Sequence, residues 1–329
     1  MTRTAMMFGI FVLSLTILSG FIRSQALAQA YPSKPVRLIV PYPAGGPIDV
    51  IARLLGQKLT ENLGQQVIID NRGGANGIIG VEIAARAAPD GYTFLMGSTS
   101  THSINPRLYS KLPYDAVKDF APVSLLATRP YILVLHPSVP AKSVNELIAL
   151  ARARPGQLTY ASGGGAGSAN HLAGELFKAS AGVDIVHVPY KGGGPALTEL
   201  LGGQVAIFFA PITIALSYVQ AGKLRALAVT GARRAAVTPD LPTMSEAGLP
   251  GFEFSIWDGM LAPARVPKEA VAKVNGELVK ILQSRDIKER FAAMGADAAS
   301  STPEQLAVFM KADADKWVKI LKDSGARAE

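Results

Sequence analysis

The chain has 329 residues, 49% of them hydrophobic, no cysteine, and a formal charge of +8 from 33 basic and 25 acidic side chains. Without thiols there can be no disulfide framework, thiolate metal site, cysteine nucleophile or lipidated N-terminal cysteine, so packing alone must stabilise it. The basic residues are scattered, with Arg233-Arg234 the one adjacent pair and no interleaved aromatics, which argues against a nucleic-acid surface and leaves the excess charge to suit a small acid.

Arg3, an apolar stretch from Phe8 to Ile22 and the small residues Ala28 and Ala30 form the charged, greasy and cleavable parts of a secretory signal. The stretch is shorter than a membrane span needs and is interrupted by Ser14, Thr16 and Ser19, so residues 1–30 are expected to be removed after Ala30. Loss of Arg3 and Arg23 lowers the charge from +8 to +6 on a mature chain starting at Tyr31.

From there strand-like and helix-like runs alternate, the pattern of an α/β fold with largely parallel sheets. Val36 to Val40 is a continuous apolar run, as in a strand covered on both faces. Ile48, Ala52, Leu55, Leu59 and Leu63 recur at helical spacing with Gly64 as a stop. A second strand over Val67 to Ile69 is followed by the turn Asn71 to Gly77, a small-residue helix ending near Pro89, a third strand over Tyr92 to Met96 and a polar stretch from Gly97 to Thr101.

Two apolar runs then flank Arg129-Pro130 between Val123 and Leu135. Ser143 with Glu146 predicts a capping box and a helix to about Arg154. Strands are expected at Leu158 to Ala161, Val183 to Val188, Val205 to Phe209 and Leu224 to Thr230, each trailed by a loop and a helix start. Pro195 suits the first turn of one such helix, and Gly222 the stop of another. Beyond Gly231 come Pro239, Pro242, Pro250 and Pro263, then amphipathic helices from near Pro267 and from Thr302-Pro303, where Thr302 and Gln305 form a second capping box. If this tail packs back on the first part, the chain passes between two lobes at least twice.

Two glycine-rich loops stand out, Pro41 to Asp49 and Tyr160 to Ser168, each following a strand-like run and opening into a helix. Unpaired N–H groups at a helix start carry partial positive charge, and glycine lets a ligand approach the backbone, so the pair suggests an anion gripped between lobes. Neither loop fits a nucleotide motif. No Gly-x-x-x-x-Gly-Lys-Ser/Thr string occurs, Lys191 lies on the wrong side of Gly192-Gly193-Gly194, and Gly163-Gly164-Gly165 leads to Ser168 where a dinucleotide loop has its third glycine. No Gly-x-Ser-x-Gly elbow occurs, and the four histidines, His102, His136, His171 and His187, are dispersed. His171 and Glu175 share a helix face but lack a second ligand pair, so the expectation is that His171 packs near the loop and Glu175 is solvated. Asp49 suits a helix cap as well as a ligand contact. No cofactor, metal site or catalytic residue is expected.

Several strings together resemble one family. They are Pro41-Tyr42-Pro43-Ala44-Gly45-Gly46 with Asp49, Asn71-Arg72-Gly73-Gly74-Ala75, Asp90-Gly91-Tyr92-Thr93, Ile104-Asn105-Pro106, Gly167-Ser168 with His171-Leu172, Val188-Pro189-Tyr190-Lys191-Gly192, Gly222 to Thr230, and Trp257-Asp258-Gly259. In this order and spacing the chain resembles the exported solute receptors of tripartite tricarboxylate transporters, the Bug family, over essentially its whole mature length.

The resemblance implies a two-lobed periplasmic binding protein of type II, each lobe a mostly parallel sheet flanked by helices. It implies a periplasmic monomer that passes a small organic carboxylate to membrane permease subunits. The expected division is 31–122 with 250–329 for one lobe and 123–249 for the other, hinged near 123–131 and 231–250. Carried over by position, Tyr42, Ala44, Gly45, Gly46 and Asp49, helped by Ser98 and Thr99, would wall the first lobe. Gly167, Ser168, Ala169 and Asn170 would face them, with Lys191 and Gly192 on a neighbouring loop. Ala210 and Pro211 stand where relatives often carry an aspartate or asparagine, which removes the partner of a ligand ammonium and favours a carboxylate with an uncharged body over an amino acid. Two rivals share these residues: a sensor handing ligand information to a signalling partner, and an exported hydrolase using Ser162 or Ser168.

Overall fold

Residues 31–163 and 167–324 are described by the computed structural model. The expected signal segment and the tip of the second glycine loop, Gly164 to Ala166, lie outside them. In chain order the elements are β1 (Val36–Val40), α1 (Pro47–Leu63), β2 (Val67–Asn71), α2 (Ile78–Ala85), β3 (Thr93–Ser98), a π-helical turn over Ser100–Ile104 and the single turn α3 (Asn105–Leu108). There follow β4 (Phe120–Leu135), α4 (Val144–Ala153), β5 (Thr159–Ser162), α5 (Ala169–Ala181), β6 (Val186–Pro189), α6 (Gly193–Leu201), β7 (Ile207–Pro211), α7 (Ile212–Gln220) and β8 (Arg225–Val229). The chain ends with β9 (Ser255–Pro263), α8 (Lys268–Gln283), α9 (Arg285–Ala293), β10 (Asp297–Ala298) and α10 (Pro303–Ser324).

Local signals explain many boundaries. Pro47 starts α1, where its missing N–H has no partner to lose, and Gly64 ends it in the left-handed region at φ 68°. Ser143 Oγ accepts the Glu146 N–H at 3.2 Å, while the Glu146 carboxylate reaches back to the Lys142 N–H at 2.7 Å. Thr302 and Gln305 complete a reciprocal box, with bonds of 3.2 and 2.9 Å. Gly97 and Ser98, expected in a polar loop, instead extend β3, and the turn follows them.

The strands follow the order β2-β1-β3-β9-β4-β7-β5-β6, with β8 and β10 also pairing with β4. The outer strands are parallel: β1 with β2 and β3, and β5 with β6 and β7. The central ones are antiparallel. β4 is one strand of 16 residues where the sequence shows two runs around Arg129-Pro130. Phe120 to Pro130 pairs with β9, and Tyr131 to Leu135 pairs with β7 and β8, so one strand carries the chain from the first sheet into the second. The connection from β8 to β9 carries it back. Proline can end one ladder because it offers no N–H to it.

Each sheet is buried on both faces. One cluster joins β1 and β3 to α1, α8 and α9 through Leu38, Leu55, Phe94, Val274, Leu278 and Phe291. Another joins β5 and β7 to α4 and α5 through Tyr160, Leu147, Phe177 and Phe209. The last helix is shared: Leu306 belongs to a cluster with Ile39, Leu95 and Leu261, whereas Trp317 and Leu321 belong to that of the second sheet. α10 thus clamps both sides of the crossing.

Candidate functional site

The first glycine loop leaves β1 at Pro41 and enters α1 through Gly46. Gly45 turns the chain at φ +82°, a left-handed conformation in which other residues are strained. Its N–H donates to Asp49 Oδ2 at 2.8 Å, Arg53 Nε donates to the same oxygen at 2.9 Å, and Asn71 Nδ2 donates to Asp49 Oδ1 at 2.9 Å and to the Tyr42 carbonyl at 3.2 Å. Burial alone would raise Asp49, but hydrogen bonds from Arg53, Gly45 and Asn71 outweigh it and hold the carboxyl below its usual range. Asp49 is only 2% exposed and acts as a brace across the loop rather than as a free carboxylate. Tyr42 is half-buried, and its Oη shares a 2.9 Å hydrogen bond with Ser98 Oγ; Ala44 and Gly45 are exposed. Thr99 Oγ1 accepts the Trp257 N–H at 2.7 Å, tying the end of β3 to β9.

The second loop rests on a histidine pair. The Gly167 N–H donates to His171 Nδ1 at 3.0 Å, which leaves the proton of that ring on Nε2, 3.9 Å from Glu175. The rings of His171 and His187 lie 4.2 Å apart, and His187 Nε2 is 2.7 Å from Ser162 Oγ. Burial lowers both histidines, His187 to about 4, so both are neutral at pH 7. Glu175 is not solvated as expected: it accepts from the Tyr160 hydroxyl at 2.6 Å and from Lys178 at 3.2 Å, because Tyr160 reaches under α5. Asn170 Nδ2 donates to the Phe209 carbonyl at 2.7 Å and its Oδ1 accepts the Gly163 N–H at 3.4 Å, which binds the loop to β7. A side chain on Gly163 would sit 2.6 Å from the Gly193 nitrogen, so the loops after β5 and β6 touch backbone to backbone, close to Gly192. Lys191 is exposed beside them.

The two sheets face one another across the crossing strand. A cleft of ≈ 370 Å³ is lined on one side by Gly45, Pro47 and Val50, with Met294 and Gly295, and on the other by Pro211, Ile212 and Thr213. Arg129, Pro130, Tyr131 and Ile256 form its floor. On the other flank Gly167 faces Leu108, and a Cβ there would lie 3.3 Å from Leu108 Cδ1. Ala210 is fully buried opposite Ile132, so of the expected pair only Pro211 reaches the cleft. Arg72 bonds Asp70 Oδ1 at 2.9 Å on the exposed side of β2.

The floor holds a pair that the sequence did not single out. Arg129 Nη2 donates to Asp258 Oδ1 at 2.9 Å, and Nε lies 2.8 Å from Oδ2 but off the direction of a good hydrogen bond, which leaves both atoms without one. Burial alone would lower Arg129, but the Asp258 carboxylate outweighs it and holds the guanidinium firmly charged. Burial pushes Asp258 up, against the pull of Arg129. Burial also raises the Tyr131 phenol, to about 12, so the floor is neutral overall. Nothing short-range marks this pair, since it is set by the register of β4 against β9, where Ala127 faces Asp258 and Arg129 faces Ile256.

The sequence matches the family model "Tripartite tricarboxylate transporter family receptor" over residues 51–326. It is 38% identical to "Protein BugT" of Bordetella pertussis over 328 residues, 99% of each chain. Among solved structures, "R. palustris Rpa4515 with adipate" is 37% identical with a TM-score of 0.77, covering 90% of this chain and 99% of that one. "MatC (Rpa3494) from Rhodopseudomonas palustris with bound malate" is 34% identical with a TM-score of 0.71, covering 88% and 100%.

Proposed function

The chain belongs to the tripartite tricarboxylate transporter family of receptors, and we propose that it captures a small organic carboxylate between its lobes in the periplasm and delivers it to the membrane subunits of such a transporter. The observation that carries this reading is the cleft in which the first glycine loop at Gly45 faces Pro211 to Thr213 of the opposite sheet. The adipate and malate named for the two solved relatives fit a carboxylate ligand. Residues 31–122 and 250–329 would act as one lobe and 123–249 as the other, closing about 123–131 and 231–250.

In this reading Tyr42, Ala44, Gly45 and Gly46 present the first wall, braced by Asp49, Ser98 and Thr99. Gly167, Ser168, Ala169 and Asn170, with Lys191 and Gly192, present the second. The apolar surface of Pro47, Val50, Pro211, Ile212 and Ile256 takes the body of the acid. Micromolar affinity needs about 8 kcal/mol, which three to five charge-assisted hydrogen bonds of roughly 1.5–3 kcal/mol each can supply against the cost of association. Closure would then give a permease a shape that differs from the empty receptor.

Calorimetry with mono-, di- and tricarboxylic and aromatic acids tests the proposal. Binding by at least one class, weakened by changes at Gly45 or Pro211, supports it, whereas no heat with any acid overturns it. The hydrolase reading meets two obstacles: Ser162 is fully buried, and His187 Nδ1 has no carboxylate partner among the described residues. Turnover of model esters would revive it. A sensor would share the same cleft and is separated by which membrane protein the loaded receptor retains.

A further inference from the structure

A second cavity lies against the first sheet, between β4, β9 and α10. Its volume is ≈ 450 Å³, larger than that of the cleft and within the range that takes a small organic ligand. Ala116, Val117, Phe120, Pro122, Leu261 and Met310 give it apolar walls, and α10 forms one whole side through Ala307, Lys311 and Ala314. Val117 stands at the lip, 79% exposed, although an apolar side chain of this size gains by being covered.

Polar groups differ sharply between its two ends. The His102 ring, 4% exposed, lines the cavity and stacks edge-on against Phe120 at 5.1 Å. Thr101 Oγ1 accepts the Ser98 N–H at 3.0 Å, donates to the Ser98 carbonyl at 3.2 Å and lies 2.8 Å from His102 Nδ1. The buried Nε2 has no hydrogen-bond partner. Burial lowers this histidine to about 3, so it offers no positive charge. Arg107 and Lys311 are exposed, line the same cavity and have no ion-pair partner among the described residues, with Asp315 the single acid beside them.

We propose that this cavity is a second ligand site, separate from the interlobe cleft, for an anion with an apolar body such as a medium-chain aliphatic carboxylate. The neutral His102 ring and the apolar walls offer a carboxylate no counter-charge at the inner end, and the unpaired Arg107 and Lys311 attract one to the mouth. The apolar body therefore points inward and the headgroup stays at the rim, where partial hydration is retained. The proposal is independent of the ligand assigned to the cleft.

Calorimetric titration of the exported, processed protein with decanoate tests it, with acetate as the headgroup control. Decanoate is expected to bind with one site assigned here and acetate to give no saturable heat. Ala307→Trp, at an exposed position of α10, and Lys311→Glu should each weaken decanoate by about tenfold or more while leaving the melting temperature near that of the parent. Val50→Asp, which places a negative charge in the cleft, should leave this binding unchanged. Decanoate binding lost in Val50→Asp but kept in both other variants would move the site to the cleft and overturn the proposal, as would an absence of decanoate binding altogether.

Discussion

Replacing Asp258 by Asn tests the floor of the cleft most directly. The substitution keeps volume and shape but leaves the Arg129 guanidinium without its counter-charge in a place where the pair is almost wholly removed from water, with side-chain exposures of 16% and 0%. Breaking a buried pair from one side costs roughly 3–5 kcal/mol, because the remaining charge stays desolvated. Asparagine does not titrate and arginine does not lose its proton, so this site should add no pH dependence to the variant's own stability between pH 5 and 8. The mirror substitution, Arg129→Met, behaves differently. It leaves a carboxyl that burial already pushes up, and this group can take a proton, so the variant should recover stability as pH falls from 8 to 5. Urea denaturation of both variants at pH 8, 7, 6 and 5, followed by far-ultraviolet circular dichroism, measures the two profiles. Because Arg129 lines the cleft, Asp258→Asn should also gain more stability from added carboxylate than the parent does. A loss below about 1 kcal/mol for Asp258→Asn, or parallel pH profiles for the two variants, would refute the reasoning that the pair is dry and tightly coupled.

Three further outcomes are expected. Burial holds the His102 pKa at about 3 in the fold against an ordinary 6.5, so the unfolded chain takes up a proton first and stability is lost as pH falls below about 6.5, by about 3 kcal/mol from this one group at pH 4.5. Proton uptake on unfolding at pH 5 should therefore drop by close to one in His102→Asn, and an unchanged slope of stability against pH would contradict it. Gly163→Ala forces a methyl against the backbone of Gly193 and should cost about 1–3 kcal/mol while weakening carboxylate binding, read by thermal melts and calorimetry. Asp49→Ala removes the acceptor of Gly45, Arg53 and Asn71 and should cost on the order of 2 kcal/mol and loosen the first loop, seen as faster amide exchange at Gly45 and Gly46.

What was legible in the sequence was mostly what neighbouring residues decide. The end of α1 follows from Gly64, and the starts of α4 and α10 from capping residues three positions apart. The continuous apolar run of β1 and the loop-helix starts after β1 and β5 needed no distant partner to be recognised. The antiparallel centre was not legible in this way. β9 pairs with a strand more than a hundred residues earlier, and its only sequence marks are Trp257-Asp258-Gly259. Arg129-Pro130 reads locally as a break between runs, but the break is in partner rather than in strand, since β4 continues through it. The sharing of α10 between two cores depends likewise on where the crossing places the sheets, not on the periodicity of the helix.

The same distinction governs the ligand. Ala210-Pro211 suggested an acid without an ammonium, yet successive residues of a strand point to opposite faces, and Ala210 turns into the core while Pro211 meets the cleft. The inference therefore cannot rest on both positions. It gains support from the lining itself, which holds no carboxylate, and from two carboxylates beside lining residues that are already engaged: Asp49 by Arg53, Asn71 and the Gly45 N–H, and Asp258 by Arg129. An incoming ammonium would have to displace one of those partners and bury itself against Pro47, Val50, Ile212 and Ile256, whereas an uncharged chain meets that surface at no electrostatic cost. Under the proposed function, an amine-free carboxylate would thus be preferred by the exclusion of its competitor as much as by any contact of its own.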